Sequence, residues 1–219
     1  SSASLLHVLA GATVTLENCT LDGNSVDTSG NRIGDCTSNG LRLSDSTVTM
    51  ENSVIRNCYA ENQDGAGALL DGSSTLTVGA DSFIQNCVRE NSSGNGGGVY
   101  VGSTSTLNLQ GTISNCKAGA QGGGVYLSSN SAAALVMNGG RISGCTAGST
   151  GGGVYVYYSS TVEMSNRSKI ENNCTAKEGG GVYLSGSNAK LEMDNSTISD
   201  CTASPGNGGG VYVNGSQAS

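Results

Sequence analysis

The sequence predicts an all-β solenoid of about seven stacked coils, each built from three short strands. A block of three glycines, an apolar residue, a tyrosine and a second apolar residue recurs, and two further apolar segments follow each block. Self-similarity with a period of about 20 to 50 residues is typical of stacked repeats. The complete blocks lie at 95–103, 121–129, 150–158, 178–186 and 207–215. Their middle residues, with the aligned positions upstream, are His7, Arg42, Leu69, Tyr100, Tyr126, Tyr155, Tyr183 and Tyr212.

The glycine block predicts the first strand of each coil. Successive side chains of a strand point to opposite faces, so Val99 and Val101 should point inward and Tyr100 outward. Three consecutive glycines favour a sharp corner with positive φ, where a Cβ atom would collide with the next coil. We therefore expect Val99, Val125, Val154, Val182 and Val211 to lie one above another in the core.

The next two apolar segments predict the second and third strands. In TLNL, Leu107 and Leu109 should point inward and Asn108 outward, and in TISN the inward residue should be Ile113. No single unit has enough inward residues to fold alone, whereas stacked units bury a continuous apolar column. Glycine and β-branched residues oppose helices throughout.

Composition limits the partners and the organisation of the chain. The net charge of −7 excludes nucleic acid and anionic membrane surfaces as expected partners. No apolar run of 18 residues predicts a membrane span, and the first residues lack the basic segment of a signal peptide. We expect one β-helical domain over 1–219, taken from a longer repeat chain, with no cofactor and no membrane insertion.

Six cysteines close the third strands at regular intervals and should form one column. Three interpretations are open: a ladder of buried thiols, which we favour, disulfides between neighbouring coils, and a metal site. In the first coil Asn24 should take the same position. Cys19 and Cys36 lie off the column and could form a disulfide with each other. The column consists of Cys58, Cys87, Cys116, Cys145, Cys174 and Cys201.

The outward tyrosines are the candidate binding face. A row of rings could stack on sugar faces or pack against a protein partner, or the rings could simply stack on each other and stabilise the sheet. Because His7, Arg42 and Leu69 replace tyrosine in the first coils, a binding surface would lie in the C-terminal part. The face comprises Tyr100, Tyr126, Tyr155, Tyr157, Tyr158, Tyr183 and Tyr212.

The carboxylates do not predict an enzyme. A polysaccharide-cleaving site needs clustered carboxylates for acid–base catalysis or calcium binding. The acids near the long first coil and the next corner never recur as a pair on one strand face. They are Asp22, Asp27, Asp35, Asp45, Glu61 and Asp64.

The pattern GGGVYV…TLxL…GGxIsxN/C-xA resembles the right-handed parallel β-helix repeats of bacterial surface proteins. These include adhesins and, more distantly, polymorphic outer-membrane-protein and autotransporter passenger repeats. The resemblance covers essentially the whole chain and implies a right-handed coil, an extracellular or cell-surface location, and a non-catalytic structural or adhesive segment. The implied partners are a host-surface glycan or protein, or neighbouring copies in a fibre or surface layer. The alternative is a carbohydrate-active β-helix, such as a polysaccharide lyase or a tailspike fragment. One departure is that the family commonly has Asn at the corner where this sequence mostly has Cys.

Overall fold

The computed structural model describes residues 4–27, 29, 31–34, 37–128 and 132–215. Within this part of the chain the regular elements are β-strands, and they form four parallel sheets that run side by side along a solenoid. The predicted all-β solenoid is confirmed. Six coils, beginning with the second, have one more strand than predicted, however, because their glycine-rich return contains a short fourth strand.

The first sheet contains the glycine-block strands. Its register places Val99 opposite Val125, Val125 opposite Val154, and Val154 opposite Val182. The predicted valine column is therefore confirmed in its register, and its members from Val99 to Val182 are buried. Val211 lies beside Val182 but is 37% exposed, so it stands in the column and not in the core. The described strands are Leu6–Val8, Leu41–Ser44, Ala68–Asp71, Val99–Val101, Val125–Leu127, Val154–Tyr157, Val182–Ser185 and Val211–Asn214.

The second and third sheets carry the other predicted strands. Leu107, Leu109 and Ile113 are fully buried, as the alternation predicts. The described strands of the second sheet are Thr13–Glu17, Thr47–Glu51, Thr75–Val78, Thr106–Leu109, Ala134–Asn138, Thr161–Ser165 and Lys190–Met193. Those of the third sheet are Thr20–Asp22, Val54–Arg56, Phe83–Gln85, Thr112–Ser114, Arg141–Ser143, Lys169–Glu171 and Thr197–Ile198.

The fourth sheet follows the cysteines and has strands of two residues. The second residue of most of these strands is an alanine that lies against the interior, such as Ala118, whereas the first residue points outward, such as Lys117. The described strands are Tyr59–Ala60, Val88–Arg89, Lys117–Ala118, Thr146–Ala147, Thr175–Ala176 and Thr202–Ala203.

The glycines of each block act in two ways, as the sequence predicts. The first glycine takes a positive φ, +65° at Gly122. The second and third glycines lie against the following coil: a Cβ atom on Gly123 would sit 2.4 Å from the carbonyl oxygen of Gly152. The glycines therefore allow neighbouring coils to approach each other closely at this corner.

The corner between the third and fourth sheets corrects one prediction. Asn24 does not occupy the cysteine position; it is exposed and takes a φ of 46°, like Asn57, which precedes Cys58. The buried residue in that position is Ser25, whose hydroxyl donates to the carbonyl of Gly23. The first coil has one extra residue here, so alignment by residue count shifts the position. The asparagine corner is thus retained, and the cysteine follows it.

Candidate functional site

The tyrosines of the first sheet form one continuous stack. Ring centroids of neighbouring members lie 5.1 to 5.4 Å apart, and the planes of Tyr126 and Tyr155 differ by 1°. The parallel register of the strands produces this geometry, because it places equivalent side chains one coil apart. We call this group the tyrosine stack, and its members are Tyr100, Tyr126, Tyr155, Tyr183 and Tyr212.

The outward tyrosines in the interior of the stack do not offer their ring faces to a ligand. Tyr126, Tyr155 and Tyr183 are only 9%, 4% and 6% exposed. Each ring covers the faces of its neighbours, so an outward direction does not leave the ring accessible. A sugar cannot stack on a ring face that another tyrosine already covers.

The hydroxyl groups of the stack are also in a restricted environment. Burial, together with the neighbouring phenols, raises the pKa of Tyr126. Burial likewise raises the pKa of Tyr100 and Tyr155. The Tyr183 hydroxyl accepts a hydrogen bond of 2.8 Å from the Asn214 side chain. The phenols of Tyr100, Tyr126 and Tyr155 therefore stay neutral at physiological pH.

Tyr157 and Tyr158 extend the stack towards solvent. Tyr157 packs obliquely on Tyr155 at 6.1 Å, and Tyr158 contacts Tyr157 edge to face at 4.9 Å. Tyr158 is 48% exposed and has a φ of 49°, a conformation that bulky residues rarely adopt. Gly186 leaves space beside the ring, since an added Cβ atom would lie 3.2 Å from Tyr158 Cδ2. Tyr158 is therefore the member of the predicted face that is most open to a ligand.

The predicted cysteine column is continuous and mostly buried. Cys87, Cys116, Cys145 and Cys174 are buried free thiols, and Cys201 is a partly exposed one. Cys58 is buried at the base of the column and donates to the carbonyl of Arg56 at 3.3 Å.

Five thiols of the column share one hydrogen-bond pattern, whereas Cys174 donates to the carbonyl three residues earlier, that of Glu171. Cys87 and Cys116 each donate to the carbonyl two residues earlier in the chain, at 3.3 Å. Burial raises the pKa of both thiols, which keeps them protonated. That the column stays reduced in the protein's own environment is still a prediction. Within the described residues, no group of three or more His, Cys, Asp or Glu side chains is arranged to hold a metal ion.

The suggested disulfide between Cys19 and Cys36 cannot be placed, because Cys36 lies outside the described residues. Cys19 is an exposed free thiol that donates to the carbonyl of Glu17.

Four of the carboxylates considered for catalysis, those of Asp22, Asp27, Asp45 and Asp64, accept hydrogen bonds within the fold. Asp45 accepts the backbone N–H of Ser73, and Asp64 accepts that of Asn95. Asp27 accepts the N–H groups of Ser29 and Asn31 in the first-coil loop. Asp35 lies outside the described residues.

Asp22 forms the most complete set of such contacts. It pairs with Arg56 at 2.8 Å and accepts hydrogen bonds from Asn57 and from the N–H of Asn24. Burial acts to raise the pKa of Asp22, but these hydrogen bonds outweigh it and the pKa is lowered. The carboxylate is therefore held in its charged form as part of the corner.

Sequence reasoning missed a covering segment over the fourth sheet, formed by the described residues 24–27, 29 and 31–34, which we call the strap. Val26 packs on Tyr59 and Val88, and the guanidinium of Arg32 lies 5.0 Å from the centre of the Tyr59 ring. The Tyr59 hydroxyl donates to the Glu90 carboxylate. The extra length of the first coil marks an insertion in the sequence, but the contacts of the strap occur once, so the repeat pattern did not predict where it packs.

Comparisons with known proteins identify the fold family and nothing narrower. No curated protein and no solved structure gives a significant match to the chain. Within the described residues, no helix has the length and apolar character needed to cross a bilayer. The model of the right-handed β-helix region matches residues 2–111 and 84–219, which together cover nearly the whole sequence. The chain therefore belongs to the right-handed β-helix family.

Proposed function

We propose that this chain is a non-catalytic structural and adhesive segment of an extracellular, cell-surface protein. The observation that carries the proposal is the tyrosine stack. Its aromatic side chains point outward, yet each one contacts the ring on the neighbouring coil, so the stack joins successive coils. Eight strands stacked at about 4.8 Å make a rod roughly 34 Å long. A rod of this kind holds a partner at a defined distance and orientation.

The roles of the carboxylates support a non-catalytic function. Asp22, Asp45 and Asp64 each accept hydrogen bonds that fix a corner of the coil. A catalytic carboxylate instead has to reach the substrate or a water molecule with its oxygen atoms. The family alone leaves the alternative of a carbohydrate-active β-helix, since one fold can carry many functions.

Two tyrosine variants separate the structural from the adhesive role. Tyr126→Ala should lower the thermal stability, because Tyr126 stacks on Tyr100 and Tyr155. Tyr158→Ala should leave the unfolding temperature nearly unchanged and weaken binding to cells or to a glycan array, because its ring is exposed. Tyr158→Phe is the matched control that keeps the ring and removes the hydroxyl.

Wild-type protein should also be incubated with the glycans that bind it. Release of new reducing ends or of unsaturated sugars would overturn the non-catalytic proposal. If the wild-type protein binds neither cells nor any glycan on the array, the adhesive part of the proposal fails. The structural part then still stands.

A further inference from the structure

We propose that Tyr158 is a site of oxidative cross-linking, at which two copies of this chain are joined by a carbon–carbon bond between their tyrosine rings. The tyrosine stack directs oxidation to this residue, because its rings form an unbroken path to Tyr158. The inference goes beyond the proposed adhesive function and does not depend on it, since the cross-link forms between copies of the chain and requires neither a glycan nor a cell.

Seven of the eight tyrosines form one connected series of rings. From Tyr155 the stack runs to Tyr100 in one direction and to Tyr212 in the other, with centroids 5.1 to 5.4 Å apart. A branch leads from Tyr155 to Tyr157 at 6.1 Å and from Tyr157 to Tyr158 at 4.9 Å. Rings at such separations are in direct contact, and electron transfer is fastest between groups in contact. A ring that has lost an electron can therefore take one from its neighbour, and the oxidised position moves along the series.

Tyr158 is the end of this path because it can release a proton to water. At neutral pH a phenol that loses an electron also loses its hydroxyl proton. Burial raises the pKa of Tyr100, Tyr126 and Tyr155, so the release of a proton from these phenols is unfavourable. Tyr158 is 48% exposed, whereas the other seven tyrosines are buried or less exposed. The radical therefore settles on Tyr158.

Tyr158 occupies a corner that otherwise holds small or polar residues. In five coils the chain turns with a positive φ just after the first-sheet strand, at Asp45, Gly72, Ser103, Tyr158 and Gly186. Bulky residues rarely adopt this conformation. On the side of the next coil, Gly186 has no side chain that could cover the ring. The corner thus places a single tyrosine ring at the surface of the rod.

The surroundings of Tyr158 allow two copies to meet there. The net charge of −7 makes copies repel each other over most of their surface. The segments on either side of the corner, 154–162 and 182–189, contain no charged residue. A contact through Tyr158 of both copies uses the same residue twice, which is the arrangement of a two-fold symmetric pair. The charge distribution and the symmetry therefore both permit a contact at this corner.

The cross-link forms in two chemical steps. Each Tyr158 gives one electron to the oxidant and its hydroxyl proton to water, and a phenoxyl radical remains. The two radicals combine through ring carbons next to the oxygen atoms, and the hydrogens of these carbons move to the oxygens and restore both phenols. The pair loses two electrons and two protons in total. Hydrogen peroxide, acting through a haem peroxidase, accepts them and becomes two water molecules.

The first test is oxidation of the purified protein by a haem peroxidase and hydrogen peroxide, followed by denaturing electrophoresis and dityrosine fluorescence. We expect a covalent dimer whose cross-linked peptide contains Tyr158 from both copies. Tyr158→Phe should lose the dimer, because it keeps the ring and removes the phenol. Tyr100→Phe, the matched control at the partly exposed end of the stack, should form as much dimer as the wild type. The gels are run under reducing conditions, which remove disulfides formed by the exposed Cys19.

The second test examines the path through the stack. Azide radicals, generated by radiolysis, are small one-electron oxidants that can also reach Tyr100 and Tyr212, the partly exposed ends of the stack. In the wild type we expect the cross-linked peptides to contain Tyr158. Tyr155→Phe keeps a ring at the branch point, but phenylalanine is much harder to oxidise than tyrosine. Cross-links at Tyr158 should therefore decrease in this variant, and cross-links at Tyr100 and Tyr212 should appear. Thermal unfolding verifies that the variant is folded.

Four outcomes would overturn the inference. A dimer that persists in Tyr158→Phe would place the cross-link elsewhere. Dityrosine fluorescence without a dimer would show that Tyr157 and Tyr158 are joined within one copy. A dimer that dissociates on reduction would be a disulfide of Cys19. The same cross-linked peptides in Tyr155→Phe and in the wild type would show that oxidation reaches Tyr158 directly and not through the stack.

Discussion

The first three coils and the last five stabilise their outer surfaces in different ways. In the last five coils the same residue recurs, and Tyr100 begins a stack that ends at Tyr212. In the first three coils the equivalent positions are His7, Arg42 and Leu69, and the strap covers the fourth sheet instead. The same coil core can therefore be covered on its outside in two ways: by stacked identical side chains, or by a single inserted segment.

The middle position of the glycine block shows the same division. In the last coils it is glycine, as in Gly123 and Gly152, and a Cβ atom there would lie about 2.4 Å from the backbone of the next coil. In the early coils it is Asn39, whose side chain donates to the carbonyls of Asp64 and Gly65, and Ala66, which is buried in the core. The glycine is thus required by the approach of the following coil and not by the strand that carries it.

The largest expected effect comes from placing a methyl group at that close approach. In Gly152→Ala the new Cβ atom would lie 2.4 Å from the Gly180 carbonyl oxygen and 2.5 Å from the Thr175 nitrogen. Both neighbours are backbone, so the coils must separate, and we expect a loss of about 3 kcal/mol or more in the free energy of unfolding. Ala66→Gly, the reverse change in an early coil, should cost only about 1 kcal/mol. Urea unfolding of both variants measures the difference, and equal losses would remove the distinction between the two regions.

A smaller effect is expected from interrupting the tyrosine stack. Tyr155→Ala removes two stacked ring contacts, with Tyr126 and Tyr183, each worth about 0.5–1.5 kcal/mol, and the oblique contact with Tyr157. We therefore expect a loss of about 2 kcal/mol. Leu69→Ala, at the equivalent position of an early coil, should lose about half as much because Leu69 is only partly buried and is not an aromatic member of the stack. Thermal unfolding of the two variants makes the comparison, and a larger loss for Leu69→Ala would show that the stack contributes little.

The smallest effect is a difference in alkaline stability. Burial raises the pKa of Tyr100, Tyr126 and Tyr155, so these groups keep their protons in the folded protein after the unfolded chain has begun to lose them near pH 10. Their contribution to stability is complete below that pH and declines as the pH rises through the folded pKa.

Tyr126→Phe should therefore make the stability fall less steeply with pH above about 10, since one linked proton is removed. Urea unfolding at a series of alkaline pH values, with phenolate absorbance as a second signal, measures the slope. An unchanged slope would falsify the assignment of a raised pKa to Tyr126.

The sequence predicted those features that recur in every coil and missed those that are very short or occur only once. Val99 to Val211 align because each strand has the same alternation, and parallel pairing then leaves one register. The fourth sheet escaped prediction because two residues such as Thr146–Ala147 are too short to show an alternation. The strap escaped because its contacts, such as Val26 on Tyr59, occur once. The burial of Tyr155 was not predicted, because the alternation of the strand gives only the direction of a side chain. Its solvent accessibility depends on the distance between neighbouring rings, 5.1 Å between Tyr126 and Tyr155.

The parallel ladders have a mechanical consequence. Their hydrogen bonds run along the rod axis, so the coil interfaces are arranged in series. A force that pulls the two ends apart therefore acts equally on every interface. At each interface the four sheets share that load. Under tension the rod should open first at its weakest interface, and added coils would extend its reach without lowering the force that it withstands, provided that each new interface is as strong as the existing ones.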